Sequence, residues 1–418
     1  LVQQTLELPQ DTSDFGPRIG IAWDIRNNHK TVVRAGYGIY YGRIINSSID
    51  NALLNTGAPG SVVTINFTPS NGPAYPNRFA ALPTGISIPK PAIFWFSPNL
   101  KTPLIHQADV SIEREITPNM SVSASYLMSR GRRLPFFFDQ NLNSSNKVQS
   151  FTVLGTPGSP ASTVSLPVFT GPRPNVLFGP EIEEQSVVTS QYDAFVLQFN
   201  KRFSHGIQFL SSFTYSRAID TDQTSTTFSA SFPTAFNQFD INADKGRSNF
   251  DIPRRFVASW IWDIPFGKKS ENAFVKNVLA GWLVSGIVTV QDGFRVSESV
   301  NIVNTISGGT AFSPNGSGGT FIVPFEPRNN FQLPALENVD LRFAKRFQIK
   351  ERYGVEFLAE AFNLFNHTLV FGATSSQYDL ISGALPTFKP RTDFLTPTSD
   401  QSTLYRERQM QLSVRFTF

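Results

Sequence analysis

Eleven segments of the chain alternate between polar and apolar residues, and the connections between them alternate between short and long. The segments run over 18–25, 31–43, 105–116, 121–128, 192–203, 207–216, 255–264, 282–291, 338–347, 353–365 and 406–418. A β-strand points successive side chains to opposite faces, so each segment predicts a strand with one apolar and one polar face. Five pairs of segments are joined by the shorter connections, at 26–30, 117–120, 204–206, 266–280 and 348–352. Of these, 266–280 is predicted to be partly helical.

The other connections are long and rich in Gly, Pro, Ser, Asn and Phe. They run over 44–102, 130–191, 217–253, 293–334 and 367–405. A soluble β-sandwich has no cause to sort its loops by length in this way, whereas outer-membrane barrels have short periplasmic turns and longer extracellular loops. The pattern therefore predicts an all-β fold, an antiparallel transmembrane β-barrel. An odd number of strands does not close a bacterial single-chain barrel, so part of the wall lies outside this chain or a strand is hidden in a long loop.

The last segment ends the chain on an aromatic ring. Its apolar positions share one face of a period-two ribbon and are Met410, Leu412, Val414, Phe416 and Phe418. A soluble edge strand shows the same alternation but has no reason to end on an aromatic, whereas barrels place aromatic girdles at both membrane boundaries. Phe416 and Phe418 are therefore predicted to form the C-terminal signal for barrel assembly.

The composition excludes several classes of protein. No stretch of eighteen apolar residues occurs, which excludes a transmembrane helix, while a membrane-spanning strand needs only about ten residues. The 39 Phe residues and the charged content of 16% favour strands, and the lack of Cys excludes a disulfide framework. The net charge is +4 without any run of Lys or Arg, so no nucleic-acid partner is expected. No residues stand at metal-ligand or catalytic spacing, so the sequence predicts neither an enzyme nor a cofactor.

The polar faces of the predicted strands carry charges of both signs. The candidates for lumen-facing residues are Arg34, Asp109, Glu113, Arg202, Arg342, Glu356 and Glu360, and the same parity holds for Arg18, Asp24, Arg255, Asp263, Asp340 and Arg415. A cation facing lipid at the bilayer midplane costs roughly 2–4 kcal/mol, which places these side chains inward. If Phe347 pairs with Tyr353, Arg342 lies diagonally between the two glutamates of the next strand in a lumenal ion ladder. Such a ladder either holds a wide barrel in shape and contacts a plug, or binds a ligand.

The long loops carry aromatic and acidic groups. The aromatic residues are Tyr75, Phe94, Trp95, Phe96, Phe136, Phe137 and Phe138, and they either grip a substrate or pack the loops against one another. The acidic groups, Asp220 with Asp222 and Glu181 to Glu184, are expected to be solvated patches rather than cation sites.

Several phrases resemble the mid-barrel of TonB-dependent outer-membrane transporters of the Oar-like kind. They are FGPRIGIAWD at 15–24, TVVRAGYGIYY at 31–41, YDAFVLQFNKRF at 192–203, FTYSRA at 213–218, FDIPRRF at 250–256 and EFLAEAFNLFN at 356–366. The resemblance covers nearly all the chain outside its long loops. It implies that residues 1–418 are the C-terminal part of a barrel of ~22 strands with a plugged lumen.

The resemblance also implies a role and partners for the whole protein. An export signal, a TonB box and a plug domain are expected before the barrel and are not present in this chain. The implied partners are outer-membrane lipid, the barrel-assembly machinery at the C-terminal strand, the TonB complex through the missing N-terminal region, and an unknown extracellular ligand. The implied function is uptake of a scarce solute, such as an iron chelate, oligosaccharide, peptide or protein, across the outer membrane of a Gram-negative bacterium. The alternative is an adhesin or surface-receptor barrel without transport.

Overall fold

The computed structural model describes most of the chain. The described residues are 9–58, 88–144, 147–155, 160–222, 235–303, 313–316, 319–349, 353–399 and 405–418, with isolated positions between 62 and 84. Part of the predicted turn 348–352 lies outside the described residues.

The structure is built mainly from strands. Numbered in chain order, they are β1 Arg18–Asp24, β2 Thr31–Tyr41, β3 Ile93–Phe96, β4 Leu104–Thr117, β5 Met120–Asp139, β6 Lys147–Val153, β7 Ser162–Val168, β8 Glu181–Ser204, β9 Ile207–Asp220, β10 Gly246–Arg247, β11 Arg254–Asp263, β12 Trp282–Gln291, β13 Arg295–Val296, β14 Ser299–Ile302, β15 Phe321–Ile322, β16 Phe331–Gln332, β17 Leu336–Ile349, β18 Tyr353–Phe362, β19 Gly372–Ala373, β20 Ser376–Ile381, β21 Thr387–Pro390, β22 Pro397–Ser399 and β23 Gln409–Thr417. The described helices are α1 Asn46–Leu54 and α2 Ala273–Leu279. Neither has the length and apolar character needed to cross a membrane.

Eleven long strands form one antiparallel sheet, which we call the wall sheet. Its order is β1-β2-β4-β5-β8-β9-β11-β12-β17-β18-β23, so neighbours in space follow one another along the chain. All eleven segments predicted from the alternation form these strands. The short strands β3 and β10 extend the wall at its loop end by pairing with β8 and β9.

Local sequence explains how neighbouring wall strands are joined. Between β8 and β9, His205 and Gly206 adopt positive φ angles of 52° and 78°, the backbone that a tight hairpin needs. Between β11 and β12, the predicted helical joint forms as α2, which begins at Asn272. The Asn272 side chain caps the helix by accepting hydrogen bonds from the backbone N–H groups of Phe274 and Val275.

Cross-strand register gives the wall sheet a polar face and an apolar face. Direct cross-strand partners point to the same side of a sheet, so a face can be followed from one strand to the next. One face collects the charged residues that parity predicted, from Arg18 and Asp24 on β1 to Arg415 on β23. The opposite face is apolar over most of its area and includes Ile21, Val33, Val110, Leu197, Phe213, Phe256, Val288, Leu341, Phe357 and Leu412.

The apolar face is largely uncovered by protein. Leu412 is 84% exposed and Ile19 is 75% exposed, as expected of side chains that face lipid. The largest buried cluster belongs instead to a second sheet made from the long connections, which we call the loop sheet. Its order is β15-β14-β20-β21-β6-β7, and Phe151, Val300, Leu380 and Phe388 form its core. Among the described residues, the wall therefore has no apolar core of its own, whereas the loops pack into a compact assembly.

Candidate functional site

The polar face of the wall sheet brings the predicted lumen-facing residues together in two groups. The first group lies near the turn between β4 and β5. Here the Arg34 guanidinium binds the Glu113 carboxylate at 2.8 Å, and both line a cavity of about 180 Å³ together with Arg202. Asp109 lies directly opposite Gly36, where an added Cβ would come within 2.7 Å of the Asp109 carboxylate. The glycine at position 36 therefore leaves room for a lumen-side carboxylate.

The second group spans β17, β18 and β23. Glu356 accepts a hydrogen bond from Arg346 at 2.7 Å and one from Arg415 at 3.4 Å, so a single carboxylate links three strands. Next to it, Arg342 lies 3.6 Å from Glu360. The predicted ion ladder is present, but its predicted geometry is wrong. Phe347 pairs with Val355, and Arg342 therefore lies directly opposite Glu360 rather than diagonally between the two glutamates.

A cavity of about 390 Å³ lies on the polar face between the middle strands of the wall. Its floor is apolar, with Leu210, Ile261 and Ile287. Its polar lining comes from Gln208, Ser259, Ser285, Asp340, Arg342 and Glu360. An apolar floor edged by a few charged groups is the usual composition of a ligand or peptide contact site.

On three strands of the wall, charged or ionisable residues mark both borders of the apolar face at an interval of eight residues. The pairs are His106 and Arg114 on β4, Asp193 and Lys201 on β8, and Glu337 and Lys345 on β17. Eight residues extend about 27 Å along a strand and about 20 Å across a membrane when the strand tilts by about 40°. This height suits the apolar band of a membrane barrel, which is about 25 Å tall.

The cations at the turn-side border turn away from the apolar band. The Lys201 Nζ donates to the carbonyl oxygens of Ser204 and Ile207, both at 2.8 Å. The Lys345 Nζ donates to the Val278 carbonyl at 3.1 Å and lies over the ring of Trp282. Long cationic side chains behave in this way when their stems lie against hydrocarbon and their heads reach for polar partners. The turn-side border of the lipid-facing band is therefore marked by specific contacts.

The loop aromatics pack the loops together. Phe94, Phe96 and Phe137 are almost completely buried in one cluster with α1, and Phe136 is buried in another. Tyr75 lies outside the described residues. Of the two alternatives that the sequence left open, packing holds for the buried rings.

The expectation that the loop acids are solvated is wrong. Asp220 is buried and forms an ion pair with the buried Arg328, and Glu181 is buried and accepts a hydrogen bond from Asn175 at 2.7 Å. Glu184 is only 3% exposed, and burial raises the pKa of its carboxyl to about 7. The loops bury these groups because they pack against one another instead of standing free in solvent.

Sequence reasoning missed the carboxylates that hold the loops together. Glu298 accepts hydrogen bonds from the backbone N–H groups of Asn329, Asn330 and Phe331 at 2.8 to 3.0 Å, which fixes a distant loop segment. Asp251 binds both Arg247 and Arg295. The phrase FDIPRRF places Asp251 before β11. Arg247 lies four residues before Asp251, but Arg295 is distant in sequence, so spacing gives no signal for the link between them.

Within the described part of the chain, no three His, Asp or Glu side chains come close enough to hold a metal ion. The His residues are dispersed. His106 contacts the Tyr37 hydroxyl at 2.7 Å, and His29 lies 3.3 Å from Asp24 in the first turn.

Comparison with solved structures finds outer-membrane transporters and receptors. The outer membrane transporter YddB from Escherichia coli matches at 12% identity and a TM-score of 0.48, over 96% of this chain and 40% of that one. The ferripyoverdine receptor of Pseudomonas aeruginosa matches at 10% identity and a TM-score of 0.45, over 98% of this chain and 34% of that one. The iron transporter FrpB from Neisseria meningitidis matches at 11% identity and a TM-score of 0.42, over 96% and 38%.

The chain thus spans two fifths or less of the length of these solved structures. Comparison with curated protein sequences gave no match. The family model described as the outer membrane beta barrel domain matches residues 4–411, which is nearly the whole chain. Together with the antiparallel wall and its apolar outer face, this match confirms the predicted fold class and location. The chain belongs to the outer membrane beta barrel domain family and lies in the outer membrane of a Gram-negative bacterium.

Proposed function

We propose that residues 1–418 form the C-terminal part of the barrel of a TonB-dependent transporter that takes up a scarce solute. The observation that carries the proposal is the charged polar face of an open sheet of eleven strands. The phrases quoted from the sequence support the TonB-dependent class. The seven candidate residues, from Arg34 to Glu360, then face the barrel lumen.

The open edges of the wall sheet favour a larger barrel. In the described sheet, β1 and β23 each pair on one side only. An unpaired backbone group in hydrocarbon costs several kcal/mol, so edges of this length need further strands in the membrane. A barrel of ~22 strands, as in outer-membrane transporters, provides them and leaves a lumen wide enough for a plug.

The charges on the polar face suit a lumen that holds protein or water. Arg34 with Glu113 and Arg342 with Glu360 remain partly exposed in the wall, so they can exchange partners with groups that enter the lumen. The cavity of about 390 Å³ beside Arg342 offers an apolar contact in the same region. We therefore assign the polar face to contact with a plug domain and, when the plug moves, with the passing solute.

Residues Phe416 and Phe418 are proposed to present the C-terminal strand to the barrel-assembly machinery. Both rings are exposed, at 71% and 89%, and thus free to contact another protein or lipid. Replacing Phe418 by Ala should lower the amount of full-length protein in the outer membrane, whereas replacing the polar Gln411 on the same strand should not. Equal amounts of the two variants in the outer membrane would contradict the assignment of Phe418 to the assembly signal.

The transport proposal is tested with the full-length protein in cells. Uptake of radiolabelled ferric chelates, oligosaccharides and peptides is measured with TonB present, with TonB deleted, and after collapse of the proton-motive force. A transporter loses uptake of its solute in the last two conditions but still binds it at the surface. If cells bind a ligand or another cell through this protein and import nothing in any condition, the protein is a surface receptor or adhesin.

A further inference from the structure

A cluster of charged side chains lies on the apolar face of the wall, where lipid is the neighbour. Register places Asp193 directly opposite Arg217, and Arg254 directly opposite Tyr215. All four share a face with Phe195, Phe213 and Phe256. Arg130 lies on the same face, two positions beyond Met128, which pairs with Asp193. These residues stand at the loop-side border of the apolar band, eight residues above the turn-side border on β8.

Two of the three arginines in this cluster already have carboxylate partners. The Arg130 guanidinium donates to Asp193 at 2.7 Å, and the Tyr126 hydroxyl donates to the same carboxylate at 2.5 Å. Arg254 donates twice to Asp292, at 3.0 and 2.8 Å, in a bidentate pair. The side chains of Arg130 and Arg254 at this border are therefore held in place by ion pairs.

Arg217 is the exception. It is exposed, and it makes no hydrogen bond or ion pair with any other residue in the described ranges. Asp193 neutralises Arg130, and Asp292 neutralises Arg254. The positive charge that remains in the cluster is therefore that of Arg217. Beside it on β9, Tyr215 is 59% exposed and offers an interfacial ring. Charges on the lipid face cost little only near the interface, where a lipid head group can serve as the partner.

We propose that this cluster binds the phosphate group of a phosphorylated glycolipid in the outer leaflet, with Arg217 as the principal contact. The guanidinium matches a phosphate in charge and in its forked donor geometry. Arg130 and Arg254 flank it and are held in place by their carboxylates. The lipid's acyl chains then lie along Phe213, Phe195 and Phe256, which continue the same face toward the turns. Because the cluster faces lipid and not the lumen, the site is separate from the proposed transport path.

The test uses the full-length protein purified in detergent and incubated with bisphosphorylated lipid A. Native mass spectrometry measures the bound fraction. Replacing Arg217 by Ala should weaken binding by about fivefold, since one cation near a membrane surface contributes about 1 kcal/mol. Arg217→Lys should keep most of the binding. The matched control is Arg26→Ala, which removes an exposed arginine from the turn between β1 and β2 at the opposite membrane border. Mobility on gels before and after heating shows that each variant is folded.

Three results bear on the proposal. A loss for Arg217→Ala, with wild-type binding for Arg26→Ala and weaker binding of lipid A lacking its phosphates, supports it. Equal binding of lipid A by wild type and Arg217→Ala overturns it. Equal dependence on Arg217 for phosphatidylglycerol and for lipid A overturns the assignment to a glycolipid, because any anionic head group would then suffice.

Discussion

Glu356 is the most heavily engaged carboxylate on the polar face of the wall. It is 7% exposed and stands between Arg346 and Arg415, so its charge is neutralised from two neighbouring strands. Arg342 and Glu360, a short distance along the same strands, form a longer pair whose carboxylate is less buried than that of Glu356. A buried carboxylate with charged donors contributes more to stability than an exposed ion pair, because its loss leaves the donors without a partner.

Replacing Glu356 by Gln should therefore lower the free energy of unfolding by about 1–3 kcal/mol. The matched change, Glu360→Gln, should cost less than about 1 kcal/mol, because Glu360 faces a single arginine at 3.6 Å and its carboxylate is partly open to solvent. Urea titration of the full-length protein in lipid vesicles, followed by Trp fluorescence, measures both values. Equal losses for the two variants would show that the contacts of Glu356 add nothing to the wall.

Glu184 should make the packing of the loops depend on pH. Burial raises the pKa of its carboxyl from 4.5 to about 7 in the folded loops. Below the unfolded value both states carry the proton and no cost arises. Between pH 4.5 and 7 the unfolded state loses its proton first, so folding becomes less favourable, and above pH 7 the full cost of roughly 3 kcal/mol is reached.

The Glu184→Gln variant should remove this cost. Hydrogen exchange of the β3 backbone amides, corrected for the intrinsic effect of pH, should be slower than in the wild type at pH 8 and nearly unchanged at pH 5. Glu271→Gln, at an exposed position in the connection between β11 and β12, should change exchange at neither pH. Faster exchange of β3 in Glu184→Gln at pH 8 would show that the hydrogen bond between Ser48 and the ionised carboxylate outweighs the cost of its burial.

At the scale of single elements, the membrane band explains why each wall strand is recognisable in the sequence. On β8, every position of the apolar face between Asp193 and Lys201 is apolar, namely Phe195, Leu197 and Phe199, because lipid faces that side. The opposite face becomes polar at Gln198 and Asn200. Beyond that band β5 and β8 continue to Asp139 and back to Glu181, where they pair in the loops and no longer face lipid. There the pattern gives way to Phe136-Phe137-Phe138, so the segments predicted from alternation end too early.

An arginine at Leu197, midway between the two borders on β8, should destabilise the folded protein by about 2–4 kcal/mol. An arginine at the neighbouring Gln198 points to the polar face and should cost much less. Folding into lipid vesicles, followed by gel mobility and urea titration, compares the two variants. Similar losses would mean that the assignment of the two faces of β8 is wrong.

Register between strands was harder to predict than the strands themselves. Parity predicted that Arg342, Glu356 and Glu360 share one face of the sheet, and the register has them on one face. A shift by one residue would have placed these charges on the apolar face. Their pairing depends on the length of the turn between β17 and β18, which alternation does not reveal. The turn is tighter than the sequence suggested, with Ile349 opposite Tyr353, and this shifts Arg342 to face Glu360.

At the scale of the whole molecule, the long connections form one assembly. In the loop sheet β14 pairs in parallel with β20, and β21 pairs in parallel with β6, so strands from three separate connections lie side by side. The sequence contained no signal for this sheet, because parallel pairing between distant short strands leaves no local pattern. The loops could only be identified as long and aromatic.

Replacing Phe388 by Ala should unfold the loop sheet and spare the wall. Phe388 is fully buried and contacts Phe151, Phe325 and Tyr378, and loss of a buried Phe costs about 3–5 kcal/mol. Hydrogen exchange should accelerate in β6, β14, β20 and β21 and stay slow in β8 and β9. Faster exchange throughout the wall would show that wall and loops unfold as one unit.

The interval of eight residues between the border charges of β4, β8 and β17 makes these strands a gauge of bilayer thickness. In a thicker bilayer the paired side chains of Arg130 and Asp193 would be drawn into hydrocarbon unless the strands stood more upright. In a thinner bilayer, the ammonium groups of Lys201 and Lys345 would lie further out in water without any movement of the backbone. Hydrophobic mismatch of a few ångströms is costly enough to sort proteins between membranes, so this spacing adapts the protein to a thin outer membrane.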